Sequence, residues 1–115
     1  MIINEHFKGS IRTIILHLLS QKEEMYGYEI CQCVSLKSKH EIQFTEGAIY
    51  PALHRMEKKG LIKSKKTIID GRVRKYYSIT PLGTQESIKH IDSFISLTKA
   101  MQMVLGIKLK PENLK

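Results

Sequence analysis

The chain has 115 residues, 42% of them hydrophobic and 26% charged, a composition that supports one ordinary core and excludes both a disordered chain and two independent domains. Nineteen Lys and Arg against eleven Asp and Glu leave a net charge of +8, which points to a polyanionic partner and away from a small neutral substrate. The densest apolar run, Ile11 to Leu19, is broken by Arg12 and His17, and Met1 to Glu5 carries no basic stretch ahead of an apolar one. No secretory leader or membrane span is expected, and the expected location is cytoplasmic.

The charge is unevenly spread. Residues 1–53 are net −1, residues 54–75 carry nine cations against Glu57 and Asp70 for +7, and residues 76–115 add +2. A run this concentrated reads as an anion-binding surface.

Ser10 is a good N-cap, and Ile11, Ile14, Ile15, Leu18 and Leu19 recur at helical spacing, so a first helix is predicted from about Ser10 to Ser20. Tyr26-Gly27-Tyr28 leads into a second helix with Ile30 and Val34 on its apolar face, ending near Ser38 to His40. Cys31 and Cys33 are the only cysteines; two apart on a helix they point to different faces, which suits neither a disulfide nor a zinc site and leaves two reduced thiols.

Thr45 caps a third helix, Glu46 sits in its first turn where the helix dipole favours an acid, and Ile49, Leu53 and Met56 form its apolar face up to the stop at Gly60. Pro51 falls inside this pattern and predicts a distorted helix. From Leu61 the period becomes two, and Asp70-Gly71 marks a two-residue hairpin that pairs Ile69 with Arg72, Thr67 with Arg74, Lys65 with Tyr76 and Ile62 with Ile79. The same register sets Lys66 against Lys75, which is unfavourable without a nearby anion and suggests a phosphate there. Tyr76 and Tyr77 alternate faces, so one belongs to the core.

Thr80-Pro81 opens a last helix that runs unbroken to about Leu105. Its apolar residues form two stripes, Ile88, Ile91, Ile95 and Leu105 on one and Phe94, Leu97, Met101 and Val104 on the other. One small core covers one stripe, so the other is expected to meet a second subunit in a symmetric dimer.

Helix, helix, helix, hairpin is the order of a winged helix-turn-helix: mainly α with a small β-hairpin, residues 1–80 forming the DNA-binding domain, 81–106 a dimerisation helix and 107–115 a flexible tail. The segments Tyr26-Gly27-Tyr28-Glu29-Ile30, Glu46-Gly47-Ala48-Ile49-Tyr50-Pro51-Ala52-Leu53-His54-Arg55-Met56-Glu57-Lys58-Lys59-Gly60-Leu61-Ile62 and Gly71-Arg72-Val73-Arg74-Lys75-Tyr76-Tyr77-Ser78-Ile79-Thr80-Pro81-Leu82-Gly83 together resemble the PadR family of bacterial transcriptional regulators. The resemblance covers about Ser10 to Gly83, and the single C-terminal helix is similar to that of the short-tailed branch.

The resemblance implies a homodimeric repressor of double-stranded DNA. It implies that Thr45, Glu46, Gly47 and Ala48 start the recognition helix at the groove with backbone donors for phosphate, that Tyr50, Pro51, His54, Arg55 and Lys58 point to DNA, and that Arg72, Arg74 and Lys75 hold the backbone from the wing, where the register adds Lys66. Tyr26 and Gly27 open the second helix and either dock a phosphate or pack, as Tyr50 does, and Tyr28 packs against the third helix. The dimer interface is expected at Ile88, Ile91, Phe94, Ile95, Leu97, Met101, Val104 and Leu105, and an apolar or aromatic effector between Phe7, Phe94, Leu97 and Met101. The chain has no Trp, so the aromatic drug-stacking site of some members does not carry over.

Nothing points to catalysis, a metal or a cofactor. The acids are scattered, and His6, His17, His40, His54 and His90 lack metal-ligand spacing; His17 and His90 read as core-edge residues. The other class left open is a winged helix used to bind protein or RNA, against which the outward Arg55 and Lys58 favour a duplex.

Overall fold

The computed structural model describes residues 8–108. In chain order these form α1 (Lys8–Gln21), β1 (Met25–Tyr26), α2 (Gly27–Lys37), α3 (Glu46–Lys58), β2 (Ile62–Ile69), β3 (Arg72–Ile79) and α4 (Pro81–Leu105). The helices and the hairpin fall close to where the hydrophobic period placed them, except that Ser10, read as the cap of the first helix, lies inside α1. β1 is an addition: it pairs antiparallel with β3, Met25 opposite Tyr77 and Tyr26 opposite Tyr76, which makes a three-stranded sheet in the order β1-β3-β2 where a bare hairpin was expected. A two-residue strand has no period, and its existence depends on β3 offering a free edge.

The core forms where α1, α2 and α3 meet the base of the sheet. Ile15, Leu16, Leu19, Ile30, Ile49, Leu53, Met56 and Ile62 are almost completely buried. Tyr77 joins them at 5% exposure and so is the core tyrosine of the Tyr76-Tyr77 pair. Met25 follows it inward, because paired residues share a face. His17 departs from expectation: it is exposed, since Ile15, Leu16, Leu18 and Leu19 already occupy the buried arc of α1. Both cysteines are free thiols, half-buried against the core.

α3 stays helical at every residue across Pro51. The proline removes a donor that would have served the carbonyl of Gly47, and Gly47 is exposed, so water can replace the lost bond. The hairpin register matches the predicted one pair for pair, from Ile62 with Ile79 to Ile69 with Arg72. Its turn holds Asp70 at φ 52° and Gly71 at φ 76°, the two left-handed residues that a tight hairpin of this twist requires.

α4 leaves the sheet through a close joint. The Thr80 hydroxyl accepts from the Gly83 amide at 3.0 Å and donates to the carbonyls of Gly60 at 2.6 Å and Leu61 at 3.0 Å. A Cβ on Gly83 would stand 2.0 Å from the Leu61 carbonyl oxygen, so only glycine lets the helix start here. Gly83 and Ser87 are the buried residues of α4. Beyond Ile91 both apolar stripes are exposed, including Phe94, Ile95, Leu97, Met101, Val104 and Leu105. Among the described residues the expectation that one stripe folds onto the chain's own core therefore fails: α1 is 14 residues long and α4 is 25, so the far half of α4 extends past the described elements that pack on its first half. Gly106, at φ 66°, closes the helix.

Candidate nucleic-acid interface

The amphipathic pattern of α3 decides what it presents. Ile49, Ala52, Leu53 and Met56 are buried, which turns Tyr50, Pro51, His54, Arg55 and Lys58 outward, where all five are exposed. At its start the Thr45 hydroxyl accepts from the Ala48 amide at 3.2 Å. Gly47 is open, with nothing nearer to an added Cβ than the Thr45 hydroxyl at 3.9 Å. Gly47, Ala48, Pro51 and Arg55 line a shallow recess with Ile11 of α1, so the start and middle of α3 present one continuous face.

Strand alternation sorts the wing into two faces. On the face continuous with the core, Ile62, Ser64, Lys66 and Ile68 lie opposite Ile79, Tyr77, Lys75 and Val73. Moving outward from the buried base, the Ser64 hydroxyl donates to Glu57 of α3 at 2.5 Å, and the Lys75 ammonium lies 3.4 Å from the same carboxylate. Ser64, and after it Lys75, hold the Glu57 carboxyl below the usual range against the opposing effect of burial. The predicted juxtaposition of Lys66 with Lys75 is present, but the counter-charge it needs comes from within the chain.

The other face carries Arg72 and Arg74. The Arg74 guanidinium sits 4.2 Å from the centre of the Tyr26 ring, and Tyr76 meets that ring edge-on at 5.5 Å. Tyr28 stacks on Tyr26 at 6.5 Å and accepts from the Gln32 side chain at 3.2 Å, so it packs here at the start of α2 and not against α3. Lys65 pairs with Glu24 at 3.1 Å on this side. Arg74 and Lys75, neighbours in sequence, thus act on opposite faces of the wing.

Gly27 is buried beneath Tyr50: an added Cβ would lie 2.8 Å from the ring. Tyr50 accordingly packs on the start of α2 and is still 45% exposed, with burial and then Glu46 raising the pKa of its hydroxyl. Among the described residues no carboxylate is ion-paired with Arg55, Lys58, Lys66 or Arg72. These four charges, on the outer face of α3 and on the wing, are available to an outside anion.

The sequence model of the transcriptional regulator PadR-like family matches residues 15–89. The chain belongs to this family. It is 35% identical over 81 residues to a transcriptional regulator of Mycobacterium tuberculosis, covering 70% of this chain and 72% of that protein. Among solved structures, a PadR family transcription regulator from Clostridium difficile R20291 is 34% identical with a TM-score of 0.69, covering 84% of this chain and 99% of that one. A PadR-like transcriptional regulator from Bacillus cereus is 30% identical with a TM-score of 0.74, covering 91% and 100%. PadR proteins are DNA-binding regulators of transcription and not enzymes. The described residues hold no group of three metal-ligating side chains, and no described helix is long and apolar enough to cross a membrane.

Within this PadR chain the remaining expected residues fall as follows. Ile88, Phe94, Ile95, Leu97, Met101, Val104 and Leu105 are exposed along α4. Ile91 is half-buried and lines an apolar groove with Ile14, His17, Leu18, Val34 and Ile42. Phe94, Leu97 and Met101, read as lining an effector pocket, are about half exposed along α4, and Phe7 lies outside the described residues. Two residues of the basic region had no role assigned from the sequence, Glu57 and Ser64. The alternation that puts Ser64 between Ile62 and Lys66 carried a signal for its inward direction, whereas nothing in the sequence brings it to Glu57.

Proposed function

We propose that this PadR protein is a sequence-specific repressor that binds a pseudo-palindromic operator as a homodimer. The observation that carries the reading is a set of cations that no carboxylate pairs among the described residues, Arg55 and Lys58 on the outward side of α3 and Lys66 and Arg72 on the wing. A helix with its apolar face buried and its cations outward fits the major groove; Arg55 takes a guanine edge or a phosphate there. Lys66 and Arg72, from opposite faces of the wing, straddle the backbone and supply affinity without sequence choice.

The exposed far half of α4 supports the dimer, because a helix face with Phe94, Leu97 and Met101 at 49–57% exposure is covered most simply by its own copy. Two copies then set their α3 helices about 34 Å apart, one turn of duplex. A small apolar or aromatic effector held between α1 and α4 at the dimer interface releases the operator by favouring a different spacing. The test is titration of a labelled duplex from upstream of the protein's own gene against random competitor over a range of salt. Tight, competitor-resistant binding with a steep salt slope is the expected result; weak binding lost equally to random duplex refutes this operator, and no binding to any duplex refutes the DNA reading.

A further inference from the structure

Glu57 is an acid in the wrong company. Residues 54–75 contain nine cations, and the other acid is Asp70 at the hairpin turn. Glu57 lies in the last turn of α3, where the helix dipole disfavours a negative charge, and it faces the wing of a protein whose ligand is a polyanion. Neither helix stability nor attraction to DNA accounts for it.

Its contacts do. One carboxylate oxygen accepts from Ser64 of β2 at 2.5 Å and the other lies 3.4 Å from Lys75 of β3, so a single side chain of the recognition helix touches both strands of the wing. Both charged groups stay accessible, Lys75 at 41% and Glu57 at 32% exposure. A phosphate approaching Lys75 must therefore compete with a carboxylate already in place, while Lys66, directly across the hairpin, has no such competitor among the described residues.

We infer that Glu57 stands in for a DNA phosphate: it seats the wing against α3 through Ser64 and Lys75 and withholds Lys75 from the backbone of non-cognate duplex. Resting on the DNA-binding reading above, this makes Glu57 a positioning residue that sets specificity by lowering non-specific affinity. The ion pair is half-open to water, so a phosphate held against the exposed side of the Lys75 ammonium can draw it away from the carboxylate. A duplex docked in register supplies one, and a duplex docked elsewhere does not.

The test uses the full chain and a fluorescent random-sequence duplex of about 30 base pairs, long enough to exceed one half-site spacing, titrated by anisotropy over a range of salt. Glu57→Gln still accepts from Ser64 but releases Lys75, so it is expected to bind this duplex about tenfold tighter at low salt and to steepen the slope of log K against log salt by about 0.9, the effect of one added phosphate contact. Adding Lys75→Ala to Glu57→Gln is expected to return both quantities to wild type. A purely structural pin predicts a looser wing instead, with weaker binding and no steeper slope, and that result overturns the inference. If Glu57→Gln fails to fold, two single variants decide. Lys66→Ala is expected to lose about 0.9 of slope and Lys75→Ala almost none; equal losses overturn the inference. Wild-type protein that binds no duplex would refute the DNA reading itself, and wild-type binding with an unaltered Glu57→Gln would refute only the role of Glu57.

Discussion

The two halves of α4 both carry large apolar residues, and only the first lies against the rest of the chain. From Pro81 to Ile91 the helix lies against α1 and the end of the sheet, with Gly83 and Ser87 buried and His90 and Ile91 half-buried. From Asp92 to Leu105 it carries Phe94, Ile95, Leu97, Met101, Val104 and Leu105 in the open. The covered half is the one with small residues at its contact points, which let two backbones approach; the uncovered half has the large apolar side chains that need a partner surface. Apolar content therefore does not tell which part of a helix its own chain buries. Close approach does, and it depends on what lies opposite.

The hardest test of this contrast is to charge the open half. Leu97→Glu with Met101→Glu is expected to leave a monomer in sedimentation equilibrium and to weaken operator binding by about a hundredfold or more, the loss expected when two linked half-sites become one. A variant that stays dimeric would place the interface elsewhere. The covered half breaks at Gly83→Ala, where the new methyl meets the Leu61 carbonyl oxygen; a loss of about 3 kcal/mol in urea unfolding is expected. Unchanged stability would mean that α4 is not anchored at this joint.

The smallest effect is expected where the halves meet. His90 has its Nδ1 buried without a hydrogen-bond partner among the described residues and its Nε2 3.3 Å from Glu86. Burial, then Arg12 of α1, lower its pKa below the usual 6.5, with Glu86 opposing. The unfolded chain therefore takes up the proton first. The stability due to neutral His90 is full above about pH 6.5 and declines as pH falls from there through the folded value. Urea midpoints compared at about pH 7.5 and about pH 5.5 should show a slight fall for wild type and a smaller one for His90→Asn. Equal falls would show that His90 does not carry this dependence.

Most of the helical frame was legible because it rests on local rules. Thr45 and Thr80 cap the helices they precede, Asp70-Gly71 makes the turn it encodes, and the alternation after Leu61 fixes the hairpin register. The basic surface was legible in part: the outward positions of α3 follow from its apolar face, and the cations could be counted. The sequence did not reveal which of those cations are already engaged. Arg74 over Tyr26, Lys65 with Glu24 and Lys75 with Glu57 join residues from separate elements, and their spacing in sequence carries no trace of the contact.

The sequence by itself determined the four helices, the wing and its register, and the concentration of charge at residues 54–75, because caps, periodicity and turn chemistry act over a few residues. Tertiary structure alone decided that Met25 and Tyr26 become a strand, that Tyr77 enters the core, that the apolar stripes of α4 beyond Ile91 are left exposed by the described elements and that Glu57 reaches both strands of the wing. Each of these depends on the distance and direction between elements, which emerge only when the packed core sets them.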